Sequence, residues 1–327
     1  MFTIPRPAAR LAAHLAARLT AGALAAALAL CLALPASAQP DAAQSATIPS
    51  ETAAPAASAP PPAKPALWKV ADEDTTIYLF GTVHILPAGL DWFTGEVADA
   101  FARSGELVTE IAGNDPVEMQ ALVMDKAVLG DDETLRALLP EADRAAYEKA
   151  LAQLGVPPEA FDRFELWYAA IGISTLPLMQ EGFKGENGVE DILQARAAAR
   201  NVPQTALETA KYQLELFDSL PLDVQRRYLV EIVGQLPRIR SDLKAMVEAW
   251  RTGDAEELAR LMNAEETDPV LVERLLVSRN KTWAKWVSER LDRPGTVFMA
   301  VGAGHLAGVG SLQEQLAADG IASERVQ

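Results

Sequence analysis

The hydrophobic and polar positions divide the chain into strand-like and helix-like stretches. The run Ile77 to Phe80 is apolar and rich in β-formers, as is Val297 to Val301 near the other end. Leu67 to Val70 followed by the acidic Ala71-Asp72-Glu73-Asp74 and then Thr75 to Phe80 predicts a β-hairpin. Glu106 to Ile111 partly alternates, which sends Glu106, Val108 and Glu110 to one face and Leu107, Thr109 and Ile111 to the other. Short strands are expected at Gln204 to Glu208 and Ala322 to Val326. Between the terminal strands, apolar residues recur at three- and four-residue spacing, as in Trp92–Arg103, Val117–Val128, Glu141–Leu154, Phe164–Leu176 and Val189–Arg200. Further helices are predicted over Tyr212–Ser219, Leu222 to about Arg251 with a break at Pro237, Asp254–Met262, Pro269–Leu291 and Leu306–Ala318. Strands at the two ends with helices between them predict an α/β core with a mostly helical middle insertion.

The two strongest strands share one ending. Ile77 to Phe80 runs into Gly81-Thr82-Val83-His84, and Val297 to Val301 runs into Gly302-Ala303-Gly304-His305. A single Gly-x-x-His most often marks a turn and a hydrogen-bonding histidine. Two copies after matching strands are harder to set aside, because the chain has only three histidines and the third is His14. Residues just past the carboxyl ends of strands are where open α/β sheets place their ligands. Glycine there permits a turn or a close approach. The repeated strand, Gly-x-x-His and loop-to-helix pattern also predicts a weak two-fold internal repeat.

Two converging imidazoles with a carboxylate would suit a divalent ion, zinc among them, with an open position for water. Such an ion would activate water and polarise a carbonyl, which is hydrolysis. Glu110, at the end of the strand after His84, is the best placed carboxylate, as ligand or general base, and Glu208 is second. Glu190 opens a predicted helix, where an acid is favoured in any case. Composition alone makes Arg279 an ordinary surface arginine. There is no Gly-x-Ser-x-Gly elbow, His-Glu-x-x-His, Walker loop or dinucleotide-binding pattern.

Composition changes the picture at the amino end. Met1 to Ala38 has early arginines, an apolar run from Ala21 to Leu34 and Ala36-Ser37-Ala38, as in a cleaved secretory signal. The run is shorter than the roughly 20 residues a membrane span needs, so the mature chain is expected to carry no transmembrane segment. Cys31 is the only cysteine and lies in that run, so the mature chain has no thiolate chemistry. Residues 39–66 are rich in Ala, Pro and Ser and predict a linker, leaving 67–327 as the folded domain. The formal net charge of −16 argues against nucleic-acid binding. A periplasmic or secreted protein is expected.

The motifs Leu79-Phe80-Gly81-Thr82-Val83-His84-Ile85-Leu86 and Val301-Gly302-Ala303-Gly304-His305-Leu306-Ala307-Gly308 resemble those of the TraB/GumN family. So do Glu106 to Glu110, Gly188-Val189-Glu190, Leu207-Glu208-Thr209 with Gln213, and Arg279-Asn280. That family is grouped with the Tiki proteases, the erythromycin esterases and the haem-binding ChaN lipoproteins. The resemblance implies a Tiki-like fold with two related sheet halves. In the Tiki branch it also implies peptide or protein cleavage dependent on manganese or cobalt, with both motif histidines required. The expectation is therefore an exported metal-dependent hydrolase using His84, His305 and Glu110 as metal ligands. Arg279 is expected as an electrostatic or orienting residue and Glu208 as support. The alternatives are a non-catalytic haem- or metal-binding protein, with Met299 and Tyr78 near the motifs, or a scaffold for exported polysaccharide or peptide processing.

Overall fold

The computed structural model describes residues 62–113, 115–183, 185–263 and 268–327. The predicted signal and nearly all of the predicted linker, with His14, Cys31 and Lys184, lie outside them. The folded part begins slightly before Leu67. Ala63 is buried, its N–H donates to Asp91 O, and Lys64 N–H donates to Arg251 O.

Six strands form one mixed sheet: β1 (Leu67–Ala71), β2 (Thr75–Thr82), β3 (Glu106–Thr109), β4 (Gln204–Ala206), β5 (Gly295–Gly302) and β6 (Glu324–Arg325), in the order β4-β3-β5-β2-β1-β6. The β1–β2 hairpin is antiparallel, and β6 adds antiparallel to β1. The other neighbours are all parallel: β2 with β5, β5 with β3, and β3 with β4. Four carboxyl ends therefore share one edge of the sheet. The two motif strands are direct neighbours, paired from Thr75↔Gly295 to Thr82↔Gly302.

The helices are α1 (Gly95–Arg103), α2 (Pro116–Lys126), α3 (Glu141–Gln153), α4 (Leu166–Gln180), α5 (Val189–Ala199), α6 (Ala210–Asp218), α7 (Leu222–Gln235), α8 (Ile239–Thr252), α9 (Ala255–Asn263), α10 (Pro269–Val272), α11 (Ser278–Leu291) and α12 (Leu312–Ala318). Most lie within a few residues of the expected spans. The main differences have local causes. α1 starts three residues late because Gly95 takes φ +53°. α4 runs on through the buried Pro177. α12 is preceded by a short 3-10 turn over Ala303–His305 rather than starting at Leu306. A π-helical turn, Glu273–Val277, joins α10 to α11.

Period-two alternation explains how the sheet is covered. Tyr78, Phe80, Leu107, Phe298 and Ala300 face one side, against Trp92, Phe101, Leu193, Trp250 and Leu258. Ile77, Leu79, Val108, Val297, Met299 and Val301 face the other, against Trp283, Val287, Leu312 and Leu316. Strands buried on both faces read as continuous apolar runs, which is why β2 and β5 were conspicuous in the sequence. The helical middle has its own core, built on α4, where Trp167, Tyr168, Ile171 and Ile173 are buried. No helix among the described residues is long and apolar enough to cross a membrane.

Candidate functional site

Each of the four parallel strands delivers one candidate residue to the shared edge. His84 follows β2, Glu110 follows β3, Glu208 follows β4 and His305 follows β5. Parallel pairing alone brings together residues that are more than half the chain apart. His84, Glu110 and His305 are buried, at 7%, 5% and 2% exposure, so their mutual charges are poorly screened.

The motif glycines are needed for space rather than for turning. A Cβ on Gly302 would lie 3.1 Å from Glu110 Oε1, and one on Gly81 would lie 3.1 Å from Ala303. The uncrowded backbone of Gly302 lets its N–H donate to Glu110 Oε1 at 2.7 Å. Gly81 O accepts from the buried Trp250 indole at 2.8 Å, which anchors the β2 end.

Arg279 sits at the centre, fully buried, which corrects the surface position expected from composition. Its Nε and one terminal nitrogen donate to Glu208, the latter at 2.9 Å. That same nitrogen donates to Glu110 Oε2 at 2.5 Å. The other donates to Leu275 O at 3.1 Å and faces His305 Nε2 at 3.1 Å. A guanidinium has five N–H groups, and these contacts use them all. Leu275 lies in the π-helical turn, whose altered hydrogen bonding presents a carbonyl to the side chain one turn on. Gln213 bridges the two carboxylates, donating to Glu110 Oε2 and Glu208 Oε2 at 2.9 Å each. The Trp283 indole donates to Glu208 Oε1 at 3.0 Å, and its ring packs 4.4 Å from that of His305.

These partners set the protonation states. Burial pushes the Glu110 carboxyl up, but Arg279, then His305 and His84, and the Gly302 N–H together hold it down at about 2. Burial pushes the His305 imidazole down to about 3, and the Arg279 charge adds to this. Arg279 itself is raised by Glu110 and Glu208 in spite of its burial. His305 is thus neutral, and its tautomer follows from its neighbours. Asn280 Nδ2 donates to Gly310 O at 2.8 Å, so its Oδ1 accepts the His305 Nδ1–H at 2.7 Å. Nε2 is left as the acceptor for Arg279.

His84 is held differently. Its Nδ1 lies 2.6 Å from Glu190 Oε1, and Thr82 Oγ1 donates to the same oxygen. Glu190 was set aside in the sequence as a helix-start acid, and the structure places it against the motif histidine. Its signal in sequence was Gly188, where a Cβ would lie 2.4 Å from His84 O. Asn280 and Trp283 were missed as contributors. They share with Arg279 the buried face of a helix whose other face is exposed, and Arg279 and Trp283 are four residues apart.

By type, two imidazoles and nearby carboxylates fit a divalent cation. By position they are committed elsewhere: Glu110 Oε2 and His305 Nε2 both face Arg279. Among the described residues no three His, Asp or Glu side chains are grouped to hold an ion. In this arrangement the guanidinium occupies the place of a cation between Glu110, Glu208 and His305.

The chain is similar to an uncharacterized protein of Treponema pallidum (strain Nichols), 20% identical over 258 residues that cover 74% of this chain and 76% of that one. It is also similar to the uncharacterized protein YbaP of Escherichia coli (strain K12) and of Shigella flexneri. In each case identity is 25% over 189 residues, covering 56% of this chain and 68% of the relative. No solved structure matches it. The model of the TraB/PrgY/gumN family matches residues 66–325, nearly the whole described fold with all four strand-end residues, and the chain belongs to that family.

Proposed function

We propose that this chain is an exported hydrolase, acting on peptide bonds, whose active site is the cluster at the carboxyl edge of the sheet. One observation carries the reading. Four adjacent parallel strands each end on a titratable side chain, and three of these, Glu110, Glu208 and His305, converge on one buried arginine, with His84 beside Glu110. Export is supported by the amino-terminal sequence pattern, and peptide specificity by the resemblance to the Tiki branch. The matching strand, Gly-x-x-His and loop units of β2 and β5 support two related halves of a Tiki-like fold.

The geometry assigns the roles unevenly. A carboxylate held at about 2 is a weak base at neutral pH, so of the ligand and general-base roles expected from sequence Glu110 takes the one that uses its charge. Arg279 has no N–H left for an oxyanion or a substrate carboxylate, so it organises the two glutamates and His305. Glu208 fixes Arg279. His305 is held as a neutral acceptor, and His84 is assigned the proton of the attacking water. If a divalent ion is taken up, His84, His305 and Glu110 are the donors that would hold it. Arg279 would have to release two of them. The ion would supply Lewis-acid activation of water or carbonyl.

Peptide-library cleavage by the purified protein tests this, after metal removal and after resupply of manganese, cobalt or zinc, with metal content measured in parallel. Cleavage that is lost in His84→Ala and His305→Ala is expected. Cleavage that survives loss of both histidines overturns the site. Haem binding without cleavage favours the non-catalytic reading.

A further inference from the structure

The helix that leaves the Glu110 strand is apolar on two opposite sides. On α2, Met119 and Val123 face inward and belong to the core of the helical middle. Val117, Ala121 and Met124 recur at four- and three-residue spacing on the side turned away from them. All three are exposed, Val117 at 74% and Met124 at 60%. Scattered exposed apolar residues are ordinary. Among the described residues, however, only Val309 is a more exposed large hydrophobic side chain than these two, and they share one face of one helix. A helix that is apolar all round normally has a neighbour on each side. α2 has one on its inner side, and its outer side faces solvent.

The surroundings of the stripe are acidic. Glu118 and Asp125, seven residues apart, run beside it along one flank, and both are exposed. Asp115 caps the start of the helix, and Asp131, Asp132 and Glu133 stand exposed in the loop that follows it. The one basic residue of the helix, Lys126, is shared by Asp125 and by Glu215 and Asp218 of α6. Charge therefore selects among occupants. A second copy of this chain, with its formal net charge of −16, would lay acid against acid, and an anionic membrane would be repelled. A basic partner with an apolar face of its own is attracted on both counts. The face is also continuous with the candidate site. α2 starts six residues after Glu110, and it packs on α6, whose Gln213 bridges Glu110 and Glu208.

We propose that the outer face of α2 is a docking surface for cationic amphipathic peptides, and that these are the substrate class of the hydrolase proposed above. Apolar side chains of the peptide cover Val117, Ala121 and Met124, and its basic side chains lie along Glu118 and Asp125. The assignment as substrate rests on the hydrolase reading, whereas the docking surface stands on the helix alone. The peptide is held on the helix that leads away from Glu110, so the surface selects which chains reach the strand ends without taking part in the bond-breaking step.

Methyl spectra of the methionine-labelled full chain test this. The probes are three synthetic peptides of equal length, one of leucine and lysine in a helical amphipathic pattern, one with glutamate in place of lysine, and one with glycine in place of leucine. The Met124 signal is assigned with Met124→Leu. The leucine–lysine peptide should shift the Met124 methyl and leave that of the buried Met299 in place. The other two each lack one complementary feature and should bind at least roughly ten-fold more weakly. Val117→Ser with Met124→Ser, and separately Glu118→Gln with Asp125→Asn, should each raise Kd for the leucine–lysine peptide roughly ten-fold. All four side chains are exposed, so the melting temperature should not change. In cleavage assays the same variants should raise KM for that peptide and leave kcat as it is. Equal binding of the three peptides, a Met124 methyl that does not move, or variants that bind like the wild type overturn the proposal. Self-association or binding to anionic vesicles that is lost in Val117→Ser with Met124→Ser also overturns it, because another occupant then covers the face. If the wild type docks the peptide and cleaves nothing, the hydrolase reading fails and the docking surface stands.

Discussion

Replacing His305 by Gln tests the electrostatics of the site without any substrate. Burial, aided by Arg279, holds this imidazole at about 3 against an ordinary 6.5. The folded protein therefore refuses a proton that the unfolded chain accepts, so stability falls as the pH drops below 6.5. Glu110 works lower down. Its contribution is present above 4.5 and is lost as the pH falls toward about 2. Between pH 6.5 and 4.5 the folded His305 stays neutral while the unfolded one becomes charged. At up to about 1.4 kcal/mol per pH unit, this window costs the wild type roughly 2.3 kcal/mol through His305, because the unfolded imidazole is already half protonated at 6.5. The raised acids Glu165, Asp191 and Asp218 are common to both proteins and cancel in the comparison. The variant starts lower, by about 1–3 kcal/mol, because Asn280 and Arg279 lose their partner. That offset does not alter the slope. Urea unfolding followed by tryptophan fluorescence at several pH values should show the wild type losing about 2–3 kcal/mol more than His305→Gln across the window. Parallel curves would refute a buried neutral imidazole.

Arg279→Leu strands Glu110 and Glu208 without their cation and should cost about 3–5 kcal/mol in urea unfolding at neutral pH. A loss below about 1 kcal/mol would mean that the guanidinium does not hold the carboxylates together. Gly188→Ala places a methyl 2.4 Å from His84 O and 2.8 Å from Gly185 O, both backbone atoms that cannot swing aside. It should cost about 1–3 kcal/mol and displace His84, with melting temperature and cleavage as readouts. An unchanged melting temperature would show that the α5 start is not fastened to the motif.

The parts of the fold that announced themselves were those with two buried faces. β2 and β5 stood out because their centres, Ile77 to Phe80 and Val297 to Val301, are unbroken apolar runs, and their shared ending identified the two histidines before any pairing was known. Glu110 and Glu208 could be picked out because each ends a recognisable strand. What stayed hidden depends on rotation and close approach, which linear spacing does not encode. Arg279 looked like a surface residue because its helix carries polar residues on two faces, and only packing decides which face is inside. Glu190 was legible as a helix start and not as a partner of His84, because the clue was a glycine whose crowding appears only in three dimensions. The π-helical turn before Arg279 left no mark on the apolar pattern.

The order of strands also governs when the site can exist. β2 is made long before β5, yet they lie side by side at the middle of the sheet. Until β5 emerges, β2 is sealed on one flank by its hairpin partner β1 and bare on the other. That bare flank is an apolar ribbon of unpaired backbone, the kind of edge that recruits other chains. Synthesis must therefore shelter it through the whole helical middle. The same delay acts as a safeguard, since a chain truncated between Glu110 and Gly302 carries His84 and Glu110 but lacks the second histidine and the complete strand that spaces them. The complete set exists only once β5 and the His305 that follows it have been made.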